Sequence, residues 1–165
     1  MPVVVSDTTP LHYLILVQRE SILEKLYEKV VIPPAVLLEL SHLSAPVQIS
    51  KWATNLPAWI AVETPRSIPG PYDELDFGER QALALAKEMR ADFILLDDKV
   101  ARRVALREKM QVKGTLGIVA DAARKKLLDF AETVEQLQHT NMHLDQKIVD
   151  EVIREYNRSK IKGKG

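Results

Sequence analysis

Short apolar runs alternate with helical stripes along most of the chain. Val3 to Ser6, Val30 to Ile32, Trp59 to Glu63, Phe93 to Leu96 and Gln111 to Lys113 are too short for helices and mostly β-rich, which predicts five buried strands. After the first run, Asp7, Thr8 and Thr9 offer N-cap oxygens and Pro10 suits a first helical turn. Leu11, Leu14, Ile15 and Val17 then form an apolar stripe, and a second helix is expected from about Ser21 to Glu28. Pro33-Pro34 stops the second strand and opens a helix carrying Val36, Leu37, Leu38 and Leu40. Further helices are expected over Ala45 to Leu56, Asp76 to about Arg90, Lys99 to Lys109, Gly114-Thr115 to near Leu128, Ala131 to Gln138 and Asp145 to Asn157. TPRSIPGPYDEL is rich in Pro and Gly and reads as a long loop suited to a hinge or lid. The residues 158–165 read as a disordered tail.

Strands alternating with helices imply parallel βαβ units joined by right-handed crossovers. The expected fold is therefore three-layer α/β/α around a mostly parallel sheet of four to five strands. At 165 residues the chain is most simply one domain with a sizeable core. Lysine plus arginine equals aspartate plus glutamate, 23 each, so nucleic-acid contact would need local patches or a metal. Cysteine is absent, which excludes disulfides and thiolate metal sites. His12, His42, His139 and His143 show no zinc spacing on a helical scaffold; the last two are four apart, but the residues between them read as a helix end. The start has no basic n-region, and no stretch reaches the ~20 apolar residues of a membrane span. A cytoplasmic protein without membrane attachment is expected.

The carboxylates change the picture most. Asp7 follows the first strand and Asp97-Asp98 the fourth, and ligands in open α/β sheets bind beyond such strand ends. Helix capping explains either signature by itself. Glu39 lies three residues after Val36 with Leu38 and Leu40 on either side; the alternative is a solvated glutamate at a helix end. Glu79 extends the stripe Ala82, Ala86, Met89 one turn backward; the alternative is a first-turn glutamate answering the helix dipole, with Asp76 as the cap. Asp73 and Glu74 read as solvated, and Asp92 sits at the wrong end of its strand. Carboxylates beside a core are costly unless neutralised, and several aimed at one point would suit a hard divalent cation.

VVVSDTTPL, IPPAVLLEL, LDFGERQALALA, ADFILLDDKVARRVA and VKGTLGIV resemble, in order and spacing, the PIN-domain ribonucleases. The likeness is strongest to a VapC-like subgroup with a Gly-Glu helix motif and paired aspartates at a strand end, and it covers roughly residues 3 to 128. The resemblance implies a small α/β/α domain whose acids hold Mg2+ or Mn2+ and cleave RNA. Asp7 matches the first-strand aspartate, Glu39 the helix glutamate and Glu79 the third acid, an aspartate in many relatives. Asp98 matches the aspartate after the fourth strand, but many relatives have Thr-x-Asp there, so either Asp97 or Asp98 can be the ligand. Thr8 or Thr9, and Thr115, match hydroxyl positions near the site. On this carry-over residues 1–128 form the catalytic domain and 129–157 its helical extension.

An ion on Asp7, Asp98 and a glutamate could activate a water, with Glu39 or Asp97 orienting it or holding a second ion. No nucleophile with a paired histidine is visible, so direct hydrolysis is the natural reaction class. Lys99, Arg102, Arg103, Arg107, Lys109 and Lys113 follow the Asp pair closely, and Arg102 and Arg103 are placed to meet a flanking phosphate; a solvated helix face is the alternative. Expected partners are an RNA substrate, a small antitoxin protein and a second copy docked through the helices around Ser21 to Glu28 and Ala45 to Leu56. The competing reading is a catalytically weak or inactive PIN-like module that binds protein or RNA.

Overall fold

The computed structural model describes residues 2–68, 70, 72–142, 144 and 146–162, with side chains through 159. Five parallel strands, β1 (Val4–Ser6), β2 (Val30–Ile32), β3 (Ile60–Val62), β4 (Phe93–Leu95) and β5 (Val112–Lys113), pair in the order β3-β2-β1-β4-β5. The sheet thus has five strands, at the upper end of the four to five expected. In register, Val5 lies opposite Val31 on one side and Ile94 on the other.

Side chains alternate across a strand, and here the alternation feeds two cores. Val4, Val30, Ile32 and Leu95 join one apolar cluster, whereas Val5, Val31, Ile94 and Leu96 join the other. This explains why the strands read as unbroken apolar runs: both faces are covered by helices. The first cluster is closed by α1 (Thr8–Leu16), α2 (Ile22–Tyr27), α3 (Pro34–Leu40) and α4 (Val47–Thr54). The second is closed by α5 (Phe77–Met89) and α6 (Lys99–Arg107). After β5 the chain returns to the first face as α7 (Thr115–Arg124), α8 (Phe130–Gln138) and α9 (Gln146–Lys162).

The layering follows from crossover handedness. From β1 to β3 the chain steps outward one way; from β4 to β5 it steps the other way. Right-handed crossovers running in opposite directions put their helices on opposite faces. The reversal lies between β1 and β4, and a crevice opens there beyond the strands' carboxyl ends. Asp7, Asp97 and Asp98 all leave the sheet at this edge.

Element ends differ from expectation where a local device intervenes. α7 stops at Arg124 rather than near Leu128, because Lys126 turns to φ 60° and the amides of Lys126 and Leu127 fold back onto Ala123 and Ala122. The expected tail from 158 is helical through Lys162, since α9 is held on the domain by the Phe130–Tyr156 ring stack at 4.6 Å and by Arg124 Nε donating to Ser159 Oγ at 2.8 Å. Residues 163–165 of that expectation, and His143, lie outside the described residues. The long loop before α5 is pinned at its end by buried Tyr72 and Leu75. No helix among the described residues is long and apolar enough to cross a membrane.

Candidate metal centre

Asp7 is the first residue past β1. Its amide donates to Leu95 O of β4 at 3.0 Å, which fixes the carboxylate at the crevice between the two strands. Asp7 occupies the N-cap position of α1, yet its side chain makes no capping hydrogen bond, so capping does not account for it. It is only 4 % exposed. Burial pushes its carboxyl up to about 8; the Thr8 amide opposes this, while the charges of Glu79, Asp76 and Glu39 raise it further.

Glu79 enters from the first turn of α5. Asp76 Oδ1 accepts from the Glu79 amide at 2.8 Å, and Glu79 Oε1 accepts from the Asp76 amide at 3.1 Å, a complete capping box. The pair locks the Glu79 side chain against the sheet edge, where Glu79 is 8 % exposed. Burial raises its carboxyl to about 7 against the Asp76 amide, with Asp76, Asp98 and Glu39 adding repulsion. Asp76 was expected as the cap, with a supporting role at the site as the alternative; it makes the cap, and its charge also acts on Asp7, Glu39 and Glu79. The Asp-x-x-Glu spacing was the available signal for that second role.

Glu39 corrects an expectation. It does not lie within an apolar face: α3 buries Ala35, Val36 and Leu40, and Glu39 projects from the exposed side beside Leu38. Its carboxyl end nevertheless turns inward over Gly78, where an added Cβ would lie 2.3 Å from Oε1. That end is desolvated, which raises its carboxyl; the nearby Thr8 hydroxyl opposes the rise and Asp76 adds to it. Thr8 Oγ1 is itself buried and makes no hydrogen bond of good geometry, leaving an orphaned oxygen among the acids. Thr9 is half-buried. In Gly78→Ala the new methyl displaces the flexible end of Glu39 rather than backbone. The expected result is an unchanged fold with the Glu39 carboxyl titrating closer to its ordinary value of 4.5 by NMR. An unmoved titration would show that the carboxyl does not rest on Gly78.

The two aspartates after β4 diverge. Asp98 caps α6, its Oδ2 accepting from the Ala101 amide at 2.9 Å, and its exposed carboxylate acts on Glu79. Asp97 turns the other way: Oδ1 accepts from the Thr115 amide at 2.8 Å and Oδ2 from the Thr115 hydroxyl at 2.6 Å. Burial raises the Asp97 carboxyl, opposed by these two bonds and by Arg102. Gly114 permits this closeness, since a Cβ there would lie 2.9 Å from Asp97 Oδ1 and 3.0 Å from Arg102 Nη1. Thr115 is fully buried and ties Asp97 to α7.

Asp7, Glu79, Glu39, Asp76 and Asp98 therefore share one electrostatic neighbourhood, and Asp97 is fastened beside it. Among the described residues, no three acids or histidines converge tightly enough to form a finished ligand set. The donors are all oxygens, two of the carboxyls are buried and mutually repelled, and one hydroxyl is orphaned. Those features fit a hard cation that keeps several waters. Of the cations expected to meet RNA, two are spent: Arg107 on Glu74 at 3.1 Å, and Lys113 on Asp121, which Arg124 also holds. Arg102 answers Asp97, and Arg103 is exposed with no ion pair among the described residues.

A family model described as a PIN domain (DUF3368) matches residues 3–158, which takes in the whole sheet, all five acids and most of α9. No curated protein and no solved structure matches the chain significantly. By fold and by this match, the chain belongs to the PIN-domain family.

Proposed function

We propose that this PIN domain is a divalent-metal-dependent endoribonuclease that hydrolyses RNA phosphodiester bonds. PIN domains are in general nucleases. The observation that supports the finer reading is Asp7, a carboxylate buried at the central strand end, without a cap to make and repelled by three neighbouring acids. Such a group is costly to keep unless a cation offsets it.

Asp7, Glu79 and Asp98 would hold Mg2+ or Mn2+, which when bound supplies an acidified water and offsets charge on the phosphodiester. Glu39 reaches the same point from the exposed rim, so its carboxylate can accept the proton of the attacking water. Asp76 orients Glu79 through the capping box, and Thr8 Oγ1 offers a donor to a bound water. Arg103 and Lys99 face solvent on the α6 side and can meet the phosphate on one flank. The test adds Mn2+ to metal-free protein and follows the melting temperature together with cleavage of a labelled mixed RNA pool. A rise in melting temperature with cleavage is expected; neither a shift nor a cut would sink the reading.

A second reading, a PIN-like module that binds without cutting, is favoured by the absence of a finished ligand set among the described residues. Tight RNA binding with no cleavage in either Mg2+ or Mn2+ would establish it. A toxin role with a small inhibitory partner rests on the VapC-like resemblance, and harmless overexpression of an active enzyme would count against it. Homodimerisation is supported on α3, α4 and the turn between them, where Leu38, Leu43 and Val47 are exposed. α2 contributes less than expected, because Ile22, Leu23 and Tyr27 all face its own core. A monomeric mass by light scattering would reject the dimer.

A further inference from the structure

We propose that the cleft between α7, α9 and the end of β5 is a nucleotide pocket that seats the base beside the cut phosphodiester. The proposal deepens the ribonuclease reading and rests on it. The cleft encloses about 430 Å3, within the size range of small-molecule sites. Leu116, Ala120, Ile148 and Val152 make one wall apolar. Bases drawn out of a stack pack well against such side chains.

The opposite lip carries Lys99 and Arg102. The lining holds four cations, Lys113 and Arg124 being the other two, against the carboxylates Asp97, Asp121 and Glu155. Asp97 is answered by Thr115 and Arg102, and Asp121 by Lys113 and Arg124. Lys99 has no ion pair among the described residues and lies on the side of the acids, where a nucleotide's phosphate would rest. Asp97 lines the cleft and is the chain neighbour of Asp98, whose charge acts on Glu79, which places the cleft beside the candidate metal centre. A strand with one phosphate at the acids leads its next base here.

Gly117 adds an independent observation. Glycine inside a helix costs roughly 1 kcal/mol relative to alanine. At Gly117 a Cβ would meet no atom within 4 Å, so nothing within the protein requires the missing side chain. Gly117 lines the cleft, and its open space is the space a ligand would use.

The experiment follows backbone amide shifts of the full chain while 5'-AMP, 5'-GMP, 5'-CMP and 5'-UMP are added with a chelator present. The chelator removes any contribution from the metal centre. Saturable shifts at Gly117, Ala120 and Val152 are expected at millimolar nucleotide. Gly117→Phe, which fills the cleft, should abolish them and raise KM for RNA by about tenfold or more. Because that variant could disturb α7, its melting curve is recorded, and Lys99→Glu at an exposed position should weaken binding several-fold. Absence of shifts in the cleft, or the same shifts in Gly117→Phe, overturns the pocket. Nucleotide binding without any metal-dependent cleavage would remove the ribonuclease reading and leave the pocket standing. Cleavage with an unchanged KM in Gly117→Phe would do the reverse.

Discussion

Asp7→Asn is expected to abolish metal-dependent cleavage and, at the same time, to make the metal-free protein more stable. Loss of a ligand on the central strand should lower cleavage by at least about a hundredfold, more than the loss of an outer partner usually does. The stability gain follows from linkage. The carboxyl of Asp7 has an ordinary value of 3.8 and is raised to about 8 in the fold, mainly by burial. A group raised on folding contributes stability that is complete below its unfolded value and is lost as pH rises through its folded value. Metal-free wild type should therefore lose stability from about pH 4 to about pH 8, whereas Asn, neutral throughout, removes the Asp7 share of that loss and leaves the smaller share of Glu79, raised to about 7. The ceiling on the difference at pH 8 is on the order of 5 kcal/mol, and relaxation of the site should leave roughly half of it. Adding Mn2+ should reverse the order, because only wild type gains binding energy from the ion. Denaturant melts of both proteins with chelator and with Mn2+ measure all of this. A metal-free variant no more stable than wild type at pH 8 would mean that Asp7 is not held in the costly position described.

The fold was legible because its determinants are local and periodic. Val4 and Val5 point into different cores, so an unbroken apolar run implied helices on both faces. Asp7 and Glu79 were legible for a related reason: one directly follows a strand, and the other extends a buried helical stripe. Glu39 was misjudged because the apolar residues around it suggested burial, while the exposed Leu38 shows that this side of α3 faces outward. The fate of the basic cluster was not readable either. Lys113 is brought onto the carboxylate of Asp121 by the packing of β5 against α7, and Arg124 pairs with the same carboxylate from three residues on in α7. The helical tail escaped notice because its stabilising contacts, Phe130 with Tyr156 and Arg124 with Ser159, join positions 26 and 35 residues apart. Composition near the terminus carried no trace of them.

Asp97 and Asp98 could not be told apart by sequence, and their substitution should separate them by opposite effects. Asp97→Ala leaves the Thr115 amide and hydroxyl without an acceptor inside a residue that is 0 % exposed. Two buried donors orphaned together cost about 2–5 kcal/mol, partly offset by removing a carboxylate that is itself costly to bury. For a chain of this length the melting temperature should fall by roughly 5–10 °C. Asp98→Ala removes only the cap on the Ala101 amide, worth about 1 kcal/mol, at an exposed position. It also removes one of the charges that raise Glu79, so the Glu79 carboxyl, at about 7 in the wild type, should titrate lower. The expected pattern is a folded, nearly normal Asp98→Ala that no longer cuts, beside an unstable Asp97→Ala that still cuts at temperatures where it is folded. Cleavage assays at low temperature, melting curves and the Glu79 titration decide it. If Asp98→Ala retains activity while cold, folded Asp97→Ala has none, the roles are reversed and the Thr115 clasp is part of the chemistry rather than its frame.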